Sequence, residues 1–409
     1  DNEIVSGTLT LSHAVQARYV CFSFIVSTWA GISELEAMGT ESTAGAYTLE
    51  SSGFDKRELF VYSRAEPSAD ILGGTEDLCL LYHSTSFGYI VEQLIPYFVY
   101  VDIDGKIIDT MFDSFLFLLS GKMPSGLSPW EDSTMTDLKW TVTDLFTEGE
   151  NILALEEAAG QVKKALGLGN DYKYKFTVTL YYPNSSRLAF GDIDGDGESE
   201  DLTDYENRLQ ALIWYMQFFE DTLAKYDFKN IEFVGYYWYC ESVYTGDDAY
   251  SLVTDLSHKV HERGYDFFWI PYYCAAGFTS WDALGFDIAC MQPNYVFDAT
   301  VPYSRLESAA QLTEMYGMGI EIEISEKSFT DATLYRKYLE YLGGGEIYGY
   351  MNDCVHMYYQ DFLCYYKACN STDVSLRLIY DYTYRFIKGT LNVYPDDADD
   401  LTFNCFSGT

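Results

Sequence analysis

The chain changes its hydrophobic period near residue 77. Before that point, Gly7-Thr8-Leu9-Thr10-Leu11 and Tyr19-Val20-Cys21-Phe22-Ser23-Phe24 alternate with the period of a half-buried strand. After it, short apolar runs alternate with amphipathic segments of helix length, the order expected of βα units around a parallel sheet. The runs Asp77–His83, Phe112–Leu118, Lys175–Tyr182, Ile231–Glu241, Asp266–Tyr273, Asp287–Tyr295, Gly317–Ser325 and Glu346–Asp353 predict eight strands. A hairpin over Tyr97–Ile108, turning at Asp104-Gly105, is predicted between the first two.

The helical period predicts helices over Ile152–Leu166, Ala249–Arg263, Arg305–Tyr316, Ala332–Leu342, Val355–Ala368 and Val374–Ile387. A further helix starts with Thr203 or Asp204 as N-cap and puts Leu209, Leu212, Ile213, Met216 and Phe219 on one face. Eight strand–helix pairs over roughly 310 residues predict an α/β fold, a (β/α)8 TIM-type barrel. An open doubly wound sheet is the alternative, but no Gly-rich phosphate loop follows the first strand. The expected organisation is a small N-terminal β segment over 1–45, a Ser/Thr/Gly/Glu-rich linker over 46–76, the barrel over 77–390 and a tail over 391–409.

Composition narrows the function classes. The 409 residues are 48% hydrophobic, which supplies a sizeable core and excludes disorder for most of the chain. Lys plus Arg number 25 against 63 Asp plus Glu, a net charge of −38, so nothing here neutralises a nucleic-acid backbone or docks on an anionic membrane. No apolar run reaches the ~18 residues a spanning helix needs. The first residues, Asp1-Asn2-Glu3-Ile4, form no signal peptide, so any export signal is expected to have been removed or to lie outside the sequence. Nine cysteines, an odd count without regular spacing, do not form a disulfide framework. Aromatics reach 17%, first of all for the core, with Tyr and Trp also suited to stacking on pyranose faces.

In a TIM-type barrel the chemistry lies at the C-terminal ends of the strands. The seventh strand, Gly317-Met318-Gly319-Ile320-Glu321-Ile322-Glu323-Ile324-Ser325, alternates so that its apolar set faces the helices and Glu321 and Glu323 face the lumen. Two inward carboxylates are costly unless hydrogen bonds, cations or protonation relieve them. The fourth strand runs through Tyr236-Tyr237-Trp238-Tyr239-Cys240 into Glu241. Strands four and seven face each other across the mouth, and paired carboxyls there can trap a glycosidic bond. The placement resembles the large clan of retaining (β/α)8 glycosidases. That analogy makes Glu241 the acid/base and Glu323 the nucleophile, with Glu321 in reserve.

Other strand ends carry amides, hydroxyls and rings of the kind a carbohydrate cleft uses. The substrate-binding candidates are His83, Tyr182, Tyr237, Trp238, Tyr239, Trp269, Tyr272, Tyr273, Gln292, Asn294, Tyr295, Tyr350, Asn352 and Asp353. The segment after the third strand, Asp192-Ile193-Asp194-Gly195-Asp196-Gly197-Glu198, matches the first positions of a calcium loop. Asp192, Asp194, Asp196 and Glu198 are the candidate ligands of a structural Ca2+, but Thr203 stands where a bidentate Glu is expected. No cofactor is expected in catalysis. The His-x-His of a metal-dependent barrel hydrolase and the Gly-x-Ser-x-Gly of a serine hydrolase are both missing.

Long strings in order, among them Phe233-Val234-Gly235-Tyr236-Tyr237-Trp238, Trp269-Ile270-Pro271-Tyr272-Tyr273, Met291-Gln292-Pro293-Asn294-Tyr295 and His356-Met357-Tyr358-Tyr359-Gln360, resemble a bacterial secreted family of domains of unknown function, family 4855. The resemblance covers about residues 77–390 and implies an extracellular or cell-surface, glycan-related role. Ala17-Arg18-Tyr19-Val20, Trp29 and Ile32-Ser33-Glu34-Leu35-Glu36 resemble the closing strands of a discoidin-like sandwich. The combined expectation is a secreted, retaining glycoside hydrolase acting on an oligo- or polysaccharide, a host or plant glycan. Its competitors are a non-catalytic carbohydrate-binding protein and a surface adhesion scaffold.

Overall fold

The computed structural model describes residues 63–129, 133–244, 248–352 and 354–392. The N-terminal β segment, most of the 46–76 linker, nearly all of the 391–409 tail and Asp353 lie outside the described residues.

The chain runs β1 (Asp77–His83), α1 (Val91–Phe98), β2 (Val99–Val101), β3 (Ile107–Thr110), β4 (Ser114–Leu119), α2 (Met135–Leu145), α3 (Asn151–Leu166), β5 (Tyr174–Leu180), α4 (Tyr205–Leu223) and β6 (Ile231–Trp238). It continues with α5 (Ala249–His261), β7 (Asp266–Trp269), β8 (Ile288–Met291), α6 (Ser304–Tyr316), β9 (Gly319–Glu323), α7 (Ala332–Tyr348), β10 (His356–Tyr359), α8 (Cys364–Cys369) and α9 (Val374–Ile387). Eight strands close into one barrel in the order β1-β10-β9-β8-β7-β6-β5-β4, every neighbouring pair parallel. This is the (β/α)8 TIM-type fold that the alternating periods predict. β2 and β3 form the expected antiparallel hairpin after the first strand, with Gly105 at φ 76° in its turn.

Period-two alternation sorts side chains into two apolar layers. Leu78, Leu80, Leu116, Leu118, Phe268, Ile270 and Met357 fill the lumen. Cys79, Leu81, Phe115, Phe117, Phe267, Ile320 and Ile322 face the helical ring. Gly319 faces inward where β8, β9 and β10 crowd, and a Cβ there would lie 2.5 Å from the Val355 carbonyl oxygen. Among the helices, Asp204 caps α4 by accepting from the Glu206 and Asn207 amides.

The eighth strand is a correction. The expected strand over Glu346–Asp353 and helix over Val355–Ala368 are instead the end of α7, the strand β10 at His356–Tyr359 and the short α8. Gly343-Gly344-Gly345 reads locally as a break, yet all three residues are buried inside α7. A Cβ on Gly345 would fall 2.4 Å from the Phe386 ring, and one on Gly344 2.6 Å from the Tyr350 hydroxyl. Close packing against α9 outweighs poor helix propensity. Helices α1 and α2 have no counterpart in the sequence expectation.

The described cysteines, seven of them, are all free thiols. Among the described residues no helix is long and apolar enough to cross a membrane.

Candidate active site at the mouth of the barrel

A cavity of about 240 Å³ opens at the C-terminal ends of the strands. Three carboxyls line it: Glu241 just beyond β6, and Glu321 and Glu323 from β9. Gln292 and Asn294 from the segment after β8, Tyr82, Tyr237, Tyr272 and Tyr359, and the apolar Leu80, Ile270 and Phe297 complete the wall. The alternation on β9 accounts for the pair. Met318, Ile320, Ile322 and Ile324 pack into the helical layer, which turns Glu321 and Glu323 inward.

The three carboxyls differ in their surroundings. Glu323 is fully buried and is met by three donors: the Tyr341 hydroxyl, the Tyr295 backbone N–H at 3.3 Å and the Asn294 side-chain amide at 3.4 Å. Asn294 reaches this position with φ +50°, and its side-chain amide also donates to Gln292 Oε1 at 3.2 Å. Burial pushes the Glu323 carboxyl up to about 8, against the pull of those donors. Glu321 is 2% exposed, and no donor among the described residues reaches its oxygens. Burial first, then the neighbouring Glu323 and Glu241 charges, hold it well above the glutamate range. Glu241 reaches solvent at the mouth, yet the walls around it still raise its pKa, with the Gln292 amide pulling the other way.

Several sequence candidates meet in this cavity: Glu241, Glu321, Glu323, Tyr237, Tyr272, Gln292 and Asn294. Tyr239 and Tyr273 are half-buried just behind it; Tyr273 lies under the Arg305 guanidinium, 4.0 Å from the ring centroid, and its backbone N–H donates to Asn294 Oδ1. Others face elsewhere, and strand alternation gives the reason. Trp238 and Trp269 are buried in the helical layer, where Trp269 stacks on Phe286 and donates to the Cys240 carbonyl at 2.7 Å. Tyr182 packs edge-on against Trp238 outside the lumen. His83 points to α2, with Nδ1 2.7 Å from the Asp144 carboxylate. The Tyr295 ring turns to α7, and its hydroxyl donates to Glu340.

Tyr350 and Asn352 precede β10 rather than ending it, so they belong to the opposite end of the barrel. Tyr350 is buried and donates to the Tyr341 carbonyl. Asn352 lines a larger cavity of about 620 Å³ among the strand starts, with Asp77, Asp113, Lys175 and His356. That face stabilises such barrels, whereas the C-terminal face carries their chemistry, so the smaller cavity is the site.

Sequence reasoning passed over Tyr82, Tyr359 and Phe297. The signal for Tyr82 was present: Leu78, Leu80 and Tyr82 share one face of β1, and His83 is on the other. Tyr359 was hidden by the misplaced eighth strand.

In the acidic loop, Asp192, Asp194 and Glu200 bring one oxygen each within 4.8 Å of one another, whereas Asp196 and Glu198 turn back onto the loop backbone or out to solvent. The converging set thus contains Glu200 in place of two expected ligands.

The sequence matches the family described as Domain of unknown function (DUF4855) over residues 77–385. The chain belongs to that family. No curated protein matches it. Solved structures similar to it include a GH113 β-1,4-mannanase, 13% identical, at a TM-score of 0.41, covering 76% of this chain and 98% of that one. A GH18 chitinase from Pseudoalteromonas aurantia is 8% identical, at a TM-score of 0.37, covering 74% and 99%. The tryptophan synthase α-subunit from Pyrococcus furiosus is 8% identical, at a TM-score of 0.33, covering 77% and 98%. Likenesses at this level carry no inference about activity.

Proposed function

We propose that the protein is a glycoside hydrolase acting with retention of configuration, Glu241 serving as acid/base and Glu323 as nucleophile. The observation that carries this reading is the meeting of Glu241 and Glu323 in one open cavity, from strands three places apart around the barrel mouth. Glu241 has a raised pKa and solvent access, as a group that must give up and regain a proton requires. Glu323 is held rigidly by three donors, so its oxygen is aimed before substrate arrives.

In the first step the Glu323 carboxylate attacks the anomeric carbon while Glu241 protonates the departing oxygen. In the second, Glu241 takes a proton from water, which displaces Glu323. Tyr272, 48% exposed at the rim, offers a ring for stacking, and the Tyr82 and Tyr237 phenols line the wall where sugar hydroxyls would pass. An extracellular setting, implied by the family resemblance, belongs to this proposal.

Incubation with a broad panel of glycans and aryl glycosides, read by mass spectrometry, tests it. Turnover by the wild type that vanishes in both Glu241→Gln and Glu323→Gln supports the reading. No turnover of any member, or full activity in either variant, contradicts it.

A further inference from the structure

Two carboxyls suffice for glycoside hydrolysis, and this cavity has three. The third, Glu321, is 98% removed from solvent, lines the cavity floor, and has no hydrogen-bond donor among the described residues. Its neighbours are the other two carboxyls, the phenols of Tyr82, Tyr237 and Tyr359, and the Cys290 thiol. Tyr359 already donates to Asp361. No Lys, Arg or His is among the residues lining the cavity. Ionising an acid buried this way costs free energy until a cation pairs with it, and the described residues supply none.

We propose, building on the glycosidase reading, that the cleft selects sugars bearing a free amino group, with Glu321 receiving the ammonium. Hydroxyl groups are served by the phenols of Tyr82, Tyr237 and Tyr272, so they leave the third carboxyl unexplained. A uronate or sulfated sugar would bring a like charge to three acidic groups and be rejected. An N-acetyl group removes the positive charge that Glu321 would pair with.

The test is calorimetry on the full chain carrying Glu241→Gln, which blocks turnover, against glycan trios alike in linkage and stereochemistry. Each trio differs at one position only: free amine, hydroxyl, or carboxylate. The amine member should bind about tenfold or more tighter than the hydroxyl member, the gain expected of a charged hydrogen bond, and the carboxylate member most weakly. Adding Glu321→Gln should remove the amine preference and leave hydroxyl-member binding in place. A purely structural role for Glu321 would weaken all members alike and overturn the proposal. Equal binding of amine and hydroxyl members also overturns it, while leaving the glycosidase reading intact. Silence across the whole panel would take down both.

Discussion

The phenol of Tyr341, carried on α7, donates to the Glu323 carboxyl at the end of β9. The helical layer thereby reaches through the barrel wall to set the charge of a lumen group. A donor to the ionised form lowers a carboxyl pKa, so its removal raises it. Burial raises both Glu323 and Glu241, and in a two-carboxyl mechanism the state with one proton between them is the productive one. The pH profile of kcat/KM should be bell-shaped, its alkaline limb near the value of about 8 that burial gives Glu323. Tyr341→Phe should move that limb to higher pH and lower the maximum. A profile that Tyr341→Phe leaves unmoved would show that the contact does not tune the site.

Glu241→Gln and Glu323→Gln should each lower turnover by about 10²–10⁴-fold, the range for a positioned acid, base or nucleophile. Melting temperatures should fall little, since Gln keeps the shape of Glu. The check is paired kinetics and thermal unfolding.

Stability should fall as pH rises from about 4 to about 8, over the window between the ordinary Glu pKa and that of buried Glu323. In that window the folded state holds a proton that the unfolded state has released. The stabilisation is complete below the unfolded pKa and is lost as pH passes through the folded one. Asp113, held up to about 7 by burial and by Asp77, contributes with the same sign at the other end of the barrel. Melting temperature against pH should flatten in part in Glu323→Gln and in Asp113→Asn. A wild type that gains stability across this range would contradict the burial of these acids.

Trp238 and Tyr272 should separate packing from recognition. Trp238→Ala removes a ring that is 1% exposed and should cost about 3–5 kcal/mol of stability, with sugar affinity unchanged while the protein stays folded. Tyr272→Ala should leave stability nearly unchanged and weaken sugar binding by about tenfold. Unfolding curves and binding isotherms on both variants decide it.

The barrel and the inward carboxyls could be read because both rest on strict local rules. Period two on Met318–Ile324 determines which residues point inward, whatever surrounds the strand. The misplaced features depend on tertiary packing instead. Gly343-Gly344-Gly345 lies in a helix whose neighbours Tyr350 and Phe386 come too close to Gly344 and Gly345 for any side chain there. His356-Met357-Tyr358-Tyr359 looks helical beside its neighbours and becomes a strand because β1 and β9 pair with it. Trp238 and Trp269 drew attention by residue type, when alternation along β6 and β7 had already assigned them to the helical layer.

The account stands or falls on Glu323 as the group that bonds to the sugar. Wild-type protein should be treated with a panel of activated 2-fluoroglycosides, digested, and mapped by mass spectrometry. A glycosyl adduct on the peptide carrying Glu323, absent in Glu323→Gln, is the predicted result. An adduct on Glu321 or Glu241, or a glycosidase that turns over these sugars and never forms one, would contradict it.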